Sequence, residues 1–267
     1  MDKRWAPRAT PLYRGVRVLT LLLQALFIRA RVTGVEHVPA SGPLLVVSNH
    51  LSIADPVILF TICPRPLLFM AKEEIFRPLW FRIFLRLWGG AFPVRRGETD
   101  VRAVREALGR IRAGAALVVF PEGTRRPEGI GQVHPGIGYL ASRAACPVLP
   151  VAIMGSEAIA SLWSLWHRPW LEVRFGEPFS IPEEGPPDRI ADTIMRRIAS
   201  LLPPERRGVY ADESQIMRAS TGRTFDGVAS QPGAGAKMGQ PRGLGAELEA
   251  LGEPRPPEWP QHLAGGS

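Results

Sequence analysis

The stretch Ser48-Asn49-His50-Leu51-Ser52-Ile53-Ala54-Asp55-Pro56 decides how this chain of 267 residues is read. It follows the apolar run 44–47, a pattern consistent with a buried strand. Pro56 pushes the residue before it away from helical geometry and itself suits the first position of a helix. The stretch therefore predicts a strand, a loop and a helix in succession, with Asp55 at the helix N-cap and His50 in the loop. On one continuous helix, five residues would turn the chain about 500° and leave the two side chains roughly 140° apart. A loop removes that obstacle and lets the imidazole fold back onto the carboxylate. A histidine held by an aspartate is the pattern of a general base with its orienting acid.

Outward from this point, short apolar runs alternate with helical patterns. Segments 67–70, 91–94, 116–120, 148–153 and 171–175 read as further strands, and 56–62, 73–88, 99–112, 136–144 and 188–202 as helices. The alternation predicts an α/β fold: a single domain with a central mixed sheet flanked by helices. The expected organisation is an N-terminal membrane-interface helix in residues 1–29, the main domain in 30–202 and a disordered tail in 203–267. Gly and Pro fill 19 of those last 65 positions, and no strand or helix period survives there.

The net charge of +8 divides in the same way. From residue 205 onward there are 7 basic and 8 acidic residues, so the first 204 residues carry +9. That excess points to an anionic partner. The apolar run 18–28, interrupted only by Thr20 and Gln24, is bracketed by Arg14, Arg17, Arg29 and Arg31. Eleven helical residues rise about 16 Å, roughly half the ~30 Å hydrocarbon layer, so the run suits an interfacial helix better than a spanning one. No small-residue cleavage site follows, which argues against a secretory signal. Segment 75–88 mixes Arg77, Arg82 and Arg86 with Trp80, Phe84 and Trp88, again an interfacial composition. Few lysines and no nucleic-acid module argue against nucleic acid as the partner. Cys63 and Cys146 sit in apolar surroundings and read as reduced core thiols.

Two further segments end in paired guanidinium groups: Gly89-Gly90-Ala91-Phe92-Pro93-Val94-Arg95-Arg96 and Phe120-Pro121-Glu122-Gly123-Thr124-Arg125-Arg126. If their loops gather beside His50, a base faces a phosphate clamp, because guanidinium forks bind phosphate in bidentate fashion. No Gly-x-Ser-x-Gly elbow supports a serine hydrolase. Glycines 131, 136 and 138 have the wrong spacing for a dinucleotide fingerprint. The histidines at 37, 50, 134, 167 and 262 are scattered, and no metal site is expected.

Taken together, these blocks resemble the glycerolipid acyltransferases typified by 1-acylglycerol-3-phosphate acyltransferase. Asn49, His50 and Asp55 match that family's Asn-His-x-x-x-x-Asp block. Residues 90–96 match its glycine-led strand ending in arginine, 120–125 match Phe-Pro-Glu-Gly-Thr-Arg without change, and 147–151 match its proline-containing apolar strand. The similarity covers roughly residues 30 to 200 in the family's order. It implies acyl transfer from acyl-CoA or acyl carrier protein to the hydroxyl of a lyso-lipid, with no cofactor and no covalent acyl-enzyme. His50 and Asp55 would be catalytic, and Arg96, Glu122, Gly123, Thr124 and Arg125 would bind the glycerophosphate. Glu122, being anionic, would position an arginine or hydrogen-bond the glycerol instead of attracting phosphate.

The expected partner is the lipid bilayer, approached from the cytoplasmic face, the inner membrane in a bacterium. Two departures bear on the acceptor. His134 stands where the family often has lysine, and Arg95 where it often has a polar or acidic residue. The resemblance implies 1-acylglycerol-3-phosphate as acceptor, giving phosphatidic acid, with lyso-ornithine lipid or another lysophospholipid as the alternative. A non-catalytic basic membrane-binding protein is the alternative from another class.

Overall fold

The computed structural model describes residues 10–72, 90–94, 101–126, 129–131, 133, 136–159, 161–181 and 185–211. Seven strands form one sheet in the order β1-β7-β6-β2-β5-β3-β4. They are β1 (Arg29–Thr33), β2 (Leu44–Ser48), β3 (Leu67–Lys72), β4 (Ala91–Val94), β5 (Ala116–Val119), β6 (Val148–Met154) and β7 (Trp170–Phe175). Every neighbouring pair is parallel except β6 and β7, which makes the sheet mixed as expected.

The described helices cover both faces: α1 (Pro11–Phe27), α2 (Asp55–Ile62), α3 (Val101–Arg112), α4 (Gly136–Ala144) and α5 (Pro187–Ser200). Alternate residues of β2 serve opposite sides. Leu44 and Val46 join a core with Tyr13 of α1 and Ile58, Leu59 and Phe60 of α2. Leu45 and Val47 join one built from α3, α4 and α5. A strand covered on both faces must be apolar throughout, which is why β2 and β6 read as unbroken apolar runs. Each such side chain contributes about 1.5–3 kcal/mol relative to exposure.

This topology places the site. The chain leaving β2 enters α2 on one face, whereas the chain leaving β5 reaches α4 on the other. β2 and β5 are neighbours in register from Leu44–Ala116 to Val47–Val119. Their following loops therefore part at the C-terminal edge of the sheet, the switch point where open α/β sheets bind ligands.

Several boundaries differ from the sequence expectation. Helix α1 starts at Pro11, because Thr10 caps it by accepting the Tyr13 backbone N–H at 3.1 Å. Its 17 residues rise about 25 Å, and among the described residues no helix is long and apolar enough to cross a membrane. The expected boundary between residues 29 and 30 falls inside β1, an exposed edge strand that was not anticipated. Residues 203–211, expected to open the tail, instead form two short 3-10 turns, and Tyr210 is buried against the α5 core. The expected helix 73–88, residues 95–100 and the tail from 212 lie outside the described residues.

Helix α1 is turned the opposite way from an ordinary surface helix. Gln24 is buried, Arg17 and Thr20 are half-buried, and Arg17 Nε donates to Thr61 O at 3.1 Å. Leu12, Val18, Leu19, Leu22, Leu23 and Leu26 face outward. Arg17 and the apolar Tyr13, Val16 and Phe27 dock this helix on the protein, and its leucines are left uncovered.

Candidate active site

His50 and Asp55 meet. His50 Nδ1 lies 2.8 Å from Asp55 Oδ2, and the same oxygen accepts the backbone N–H of Leu51 at 2.7 Å and of Ser52 at 2.8 Å. Asp55 is not the N-cap. Ala54 takes that place in helical geometry, and Asp55 is the first helical residue, with its N–H bonded to Ser52 O at 3.2 Å. Its carboxylate therefore reaches backwards and closes the loop 50–54 into a turn. A carboxylate only accepts, so the neutral imidazole carries its proton on Nδ1 and presents a lone pair on Nε2. Among the described residues Nε2 has no hydrogen-bond partner, and the His50 side chain is 13% exposed. Asp55 is fully buried, and its other oxygen, Oδ1, has no partner among the described residues.

The third block fixes the ring and its loop. Phe120 stacks on the imidazole, with centroids 4.2 Å apart and planes 22° from parallel. Arg126 N donates to His50 O at 2.8 Å. Glu122 is buried and spends its carboxylate on the protein: Oε1 accepts His50 N at 3.3 Å, Oε2 accepts Gly131 N at 3.3 Å, and Arg126 Nε lies 3.9 Å away. Burial pushes the Glu122 carboxyl above its ordinary value, while the two backbone N–H groups, Arg126 and His50 oppose that rise. Of the two roles expected for Glu122, its contacts fit the positioning of an arginine.

Gly123, half-buried at φ +64°, turns the chain outward, and the exposed Thr124 and Arg125 follow it. Arg96 and His134 lie outside the described residues. Among the described residues, no group of His, Cys, Asp and Glu could hold a metal ion.

Some contributors had no role assigned from sequence. Asn49 is buried and clamps β2 to β6: its Nδ2 donates to Ile153 O and its Oδ1 accepts Ile153 N, both at 2.8 Å. A buried amide immediately after an apolar strand must find such partners, and that was its signal. Gly131 leaves room for the Arg126 side chain to lie across it, where a Cβ would overlap the guanidinium. The segment 203–211 braces this loop through Ile130 N to Arg206 O (3.4 Å) and Val209 N to Ile130 O (3.2 Å). Gly208, at φ +54°, allows that close approach, since a Cβ there would overlap Ile130 O. Nothing in a Gly/Pro-rich segment announces such a contact.

A mixed α/β sheet carrying a His–Asp pair braced by a Phe-Pro-Glu-Gly-Thr-Arg loop is the constellation of the glycerolipid acyltransferases, and the chain belongs to that family. The family described as Acyltransferase matches residues 29–154. A lyso-ornithine lipid O-acyltransferase of Brucella abortus is 31% identical over 208 residues, covering 65% of this chain and 76% of that protein. A probable 1-acyl-sn-glycerol-3-phosphate acyltransferase of Mycoplasma genitalium is 35% identical over 158 residues, 55% of this chain and 58% of the relative. The chain thus spans little more than half the length of the first curated relatives it matches. The crystal structure of the 1-acyl-sn-glycerophosphate acyltransferase PlsC from Thermotoga maritima superposes with a TM-score of 0.53 at 25% identity, covering 71% of this chain and 79% of that one.

Proposed function

We propose that this protein moves a fatty acyl group from an acyl thioester, acyl-CoA or acyl carrier protein, to the free hydroxyl of 1-acylglycerol-3-phosphate, giving phosphatidic acid. The observation that carries the reading is the His50–Asp55 pair, with Nε2 unengaged among the described residues at the switch point of the sheet. In the transfer, Nε2 takes the acceptor's proton as its oxygen attacks the thioester carbonyl. Asp55 stabilises the imidazolium so formed. Collapse of the tetrahedral adduct breaks the carbon–sulfur bond, and the departing thiolate takes the proton back from Nε2. General-base assistance of this kind is worth about 10²–10⁴ in rate. No protein nucleophile or cofactor enters these steps.

For the acceptor's phosphate we assign Arg96, Thr124 and Arg125, with Gly123 shaping the turn that presents the latter two. Glu122 is assigned as a positioning residue, since its oxygens are engaged by His50 N, Gly131 N and Arg126. The outward leucines of α1 support attachment at a bilayer interface, where a lyso-lipid resides. A lyso-ornithine lipid acceptor is the second reading. It is favoured by the longer match to the Brucella relative and by His134 standing where the family often has lysine.

The purified protein, offered a panel of lyso-acceptors with acyl-CoA and with acyl carrier protein, should give high turnover with one pair. His50→Ala should lose that turnover while keeping its fold and its membrane attachment. Wild-type turnover in a folded His50→Ala variant would end the proposal.

A further inference from the structure

Away from the catalytic loops, three indoles crowd one short stretch of surface: Trp163 is 78% exposed, Trp166 69% and Trp170 51%. The first two sit on the 3-10 turn Leu162–His167, where residues three apart eclipse, and the third opens β7. They lie beside the C-terminal end of α1. Trp166 packs edge-on against Phe27 at the end of that helix, with centroids 5.8 Å apart, and Arg168 Nη2 donates to Ala25 O at 3.2 Å. Arg29 lies in register with Trp170, and Arg29, Arg31 and Arg168 are all exposed around the pad.

Leucines beside indoles beside guanidinium groups match the layers of a lipid interface from acyl chains through glycerol to phosphate. The charge agrees, since the first 204 residues carry the excess of positive charge and anionic headgroups attract it. The surface also connects to the site. Ser52 Oγ donates to Ile159 O at 3.4 Å, four residues before Trp163. Its neighbour Ile53, on the loop between His50 and Asp55, is 72% exposed.

We propose that the segment 161–170 is a second membrane contact, docking its tryptophans on an anionic phospholipid bilayer alongside α1. A lone interfacial helix can roll about its own axis. Two contacts fix the orientation of the domain, with the His50 loop turned toward the lipid surface that supplies its acceptor. This inference rests on the lyso-lipid reading of the site, and its test is chosen to separate the two.

The full chain is floated with vesicles of equimolar phosphatidylcholine and phosphatidylglycerol, beside a variant carrying Trp163→Ser, Trp166→Ser and Trp170→Ser. Withdrawing only about 60 Å² of apolar surface from water changes a partition coefficient roughly tenfold, and three indoles offer several times that area. The triple variant should therefore bind at least about tenfold more weakly. Its turnover of a short-chain, water-soluble lyso-acceptor without vesicles should be unchanged. Trp163→Ser alone, at the most exposed of the three, should weaken binding measurably and serves if the triple variant does not fold. Pad-dependent flotation without turnover of any lyso-acceptor would support the docking and sink the enzymatic reading. Undiminished flotation of the folded variants would overturn the docking. So would loss of a dimer in sedimentation velocity with flotation intact, which would make the pad an interface between copies.

Discussion

Replacing Asp55 by asparagine isolates the charge of the catalytic pair. One oxygen, Oδ2, accepts from His50 Nδ1, Leu51 N and Ser52 N, whereas Oδ1 is buried without a partner among the described residues. An asparagine must therefore place its carbonyl at the three donors and its amide nitrogen where Oδ1 stood. The opposite orientation would set an NH₂ against two backbone N–H groups. The turn and the imidazole tautomer survive, and only the negative charge is lost. Nδ1 lies 2.8 Å from Oδ2, which puts the two charge centres about 4 Å apart. At an effective dielectric constant of about 20 that attraction is worth roughly 4 kcal/mol to the imidazolium. At about 1.36 kcal/mol per factor of ten, kcat should fall about 10³-fold. The weaker acceptor should cost stability about 1–3 kcal/mol. Thiol release from acyl-CoA at saturating acceptor measures the rate, and a urea titration measures the fold. A folded Asp55→Asn variant turning over within about tenfold of the wild type would refute the assignment of Asp55 as the stabiliser of a catalytic imidazolium.

Three more outcomes follow from the loop and the helix pair. The folded protein holds the Glu122 proton above the ordinary value of 4.5, so the unfolded chain releases it first as pH rises. Stability contributed by this residue should fall as pH climbs from 4.5 to the raised value and then level off. Wild type minus Glu122→Gln, from urea titrations across that range, should show this downward slope; an upward one would reverse the account. The same variant must turn an amide nitrogen toward His50 N or Gly131 N, so kcat should drop about 10–100-fold through misplacement of the loop. Gly138 lies where a Cβ would overlap Pro187 O, at the meeting of α4 and α5. Gly138→Ala should destabilise by about 1–3 kcal/mol despite its better helix propensity, read as a lower urea midpoint.

Edge elements escaped the sequence reading because their burial does not follow their composition. β1, Arg-Ala-Arg-Val-Thr, is an edge strand with two exposed arginines, so neither alternation nor an apolar run announces it. It exists because β7 offers it an open row of backbone partners from Trp170 to Arg174. Helix α1 was read from its apolar run at 18, although Thr10 and Pro11 already carried a start signal. Residues 203–211 looked like tail by composition, yet Tyr210 finds a hydrophobic site and Ile130 a backbone partner.

By itself the sequence determined the central strands, whose unbroken apolar runs admit only a sheet covered on both faces. It also determined that His50 and Asp55 could meet, because the strand before them and the helix signal at Pro56 leave a loop instead of one continuous helix between the two. Only the tertiary structure decided how that loop is held. Phe120 against the ring, Glu122 on the His50 backbone and Asn49 on Ile153 join residues 70 to 104 positions apart. It also decided which side of α1 faces outward. Periodicity reports that a helix has two faces, but which one the protein covers depends on the partner surface, here the Thr61 carbonyl and Phe60 ring of α2.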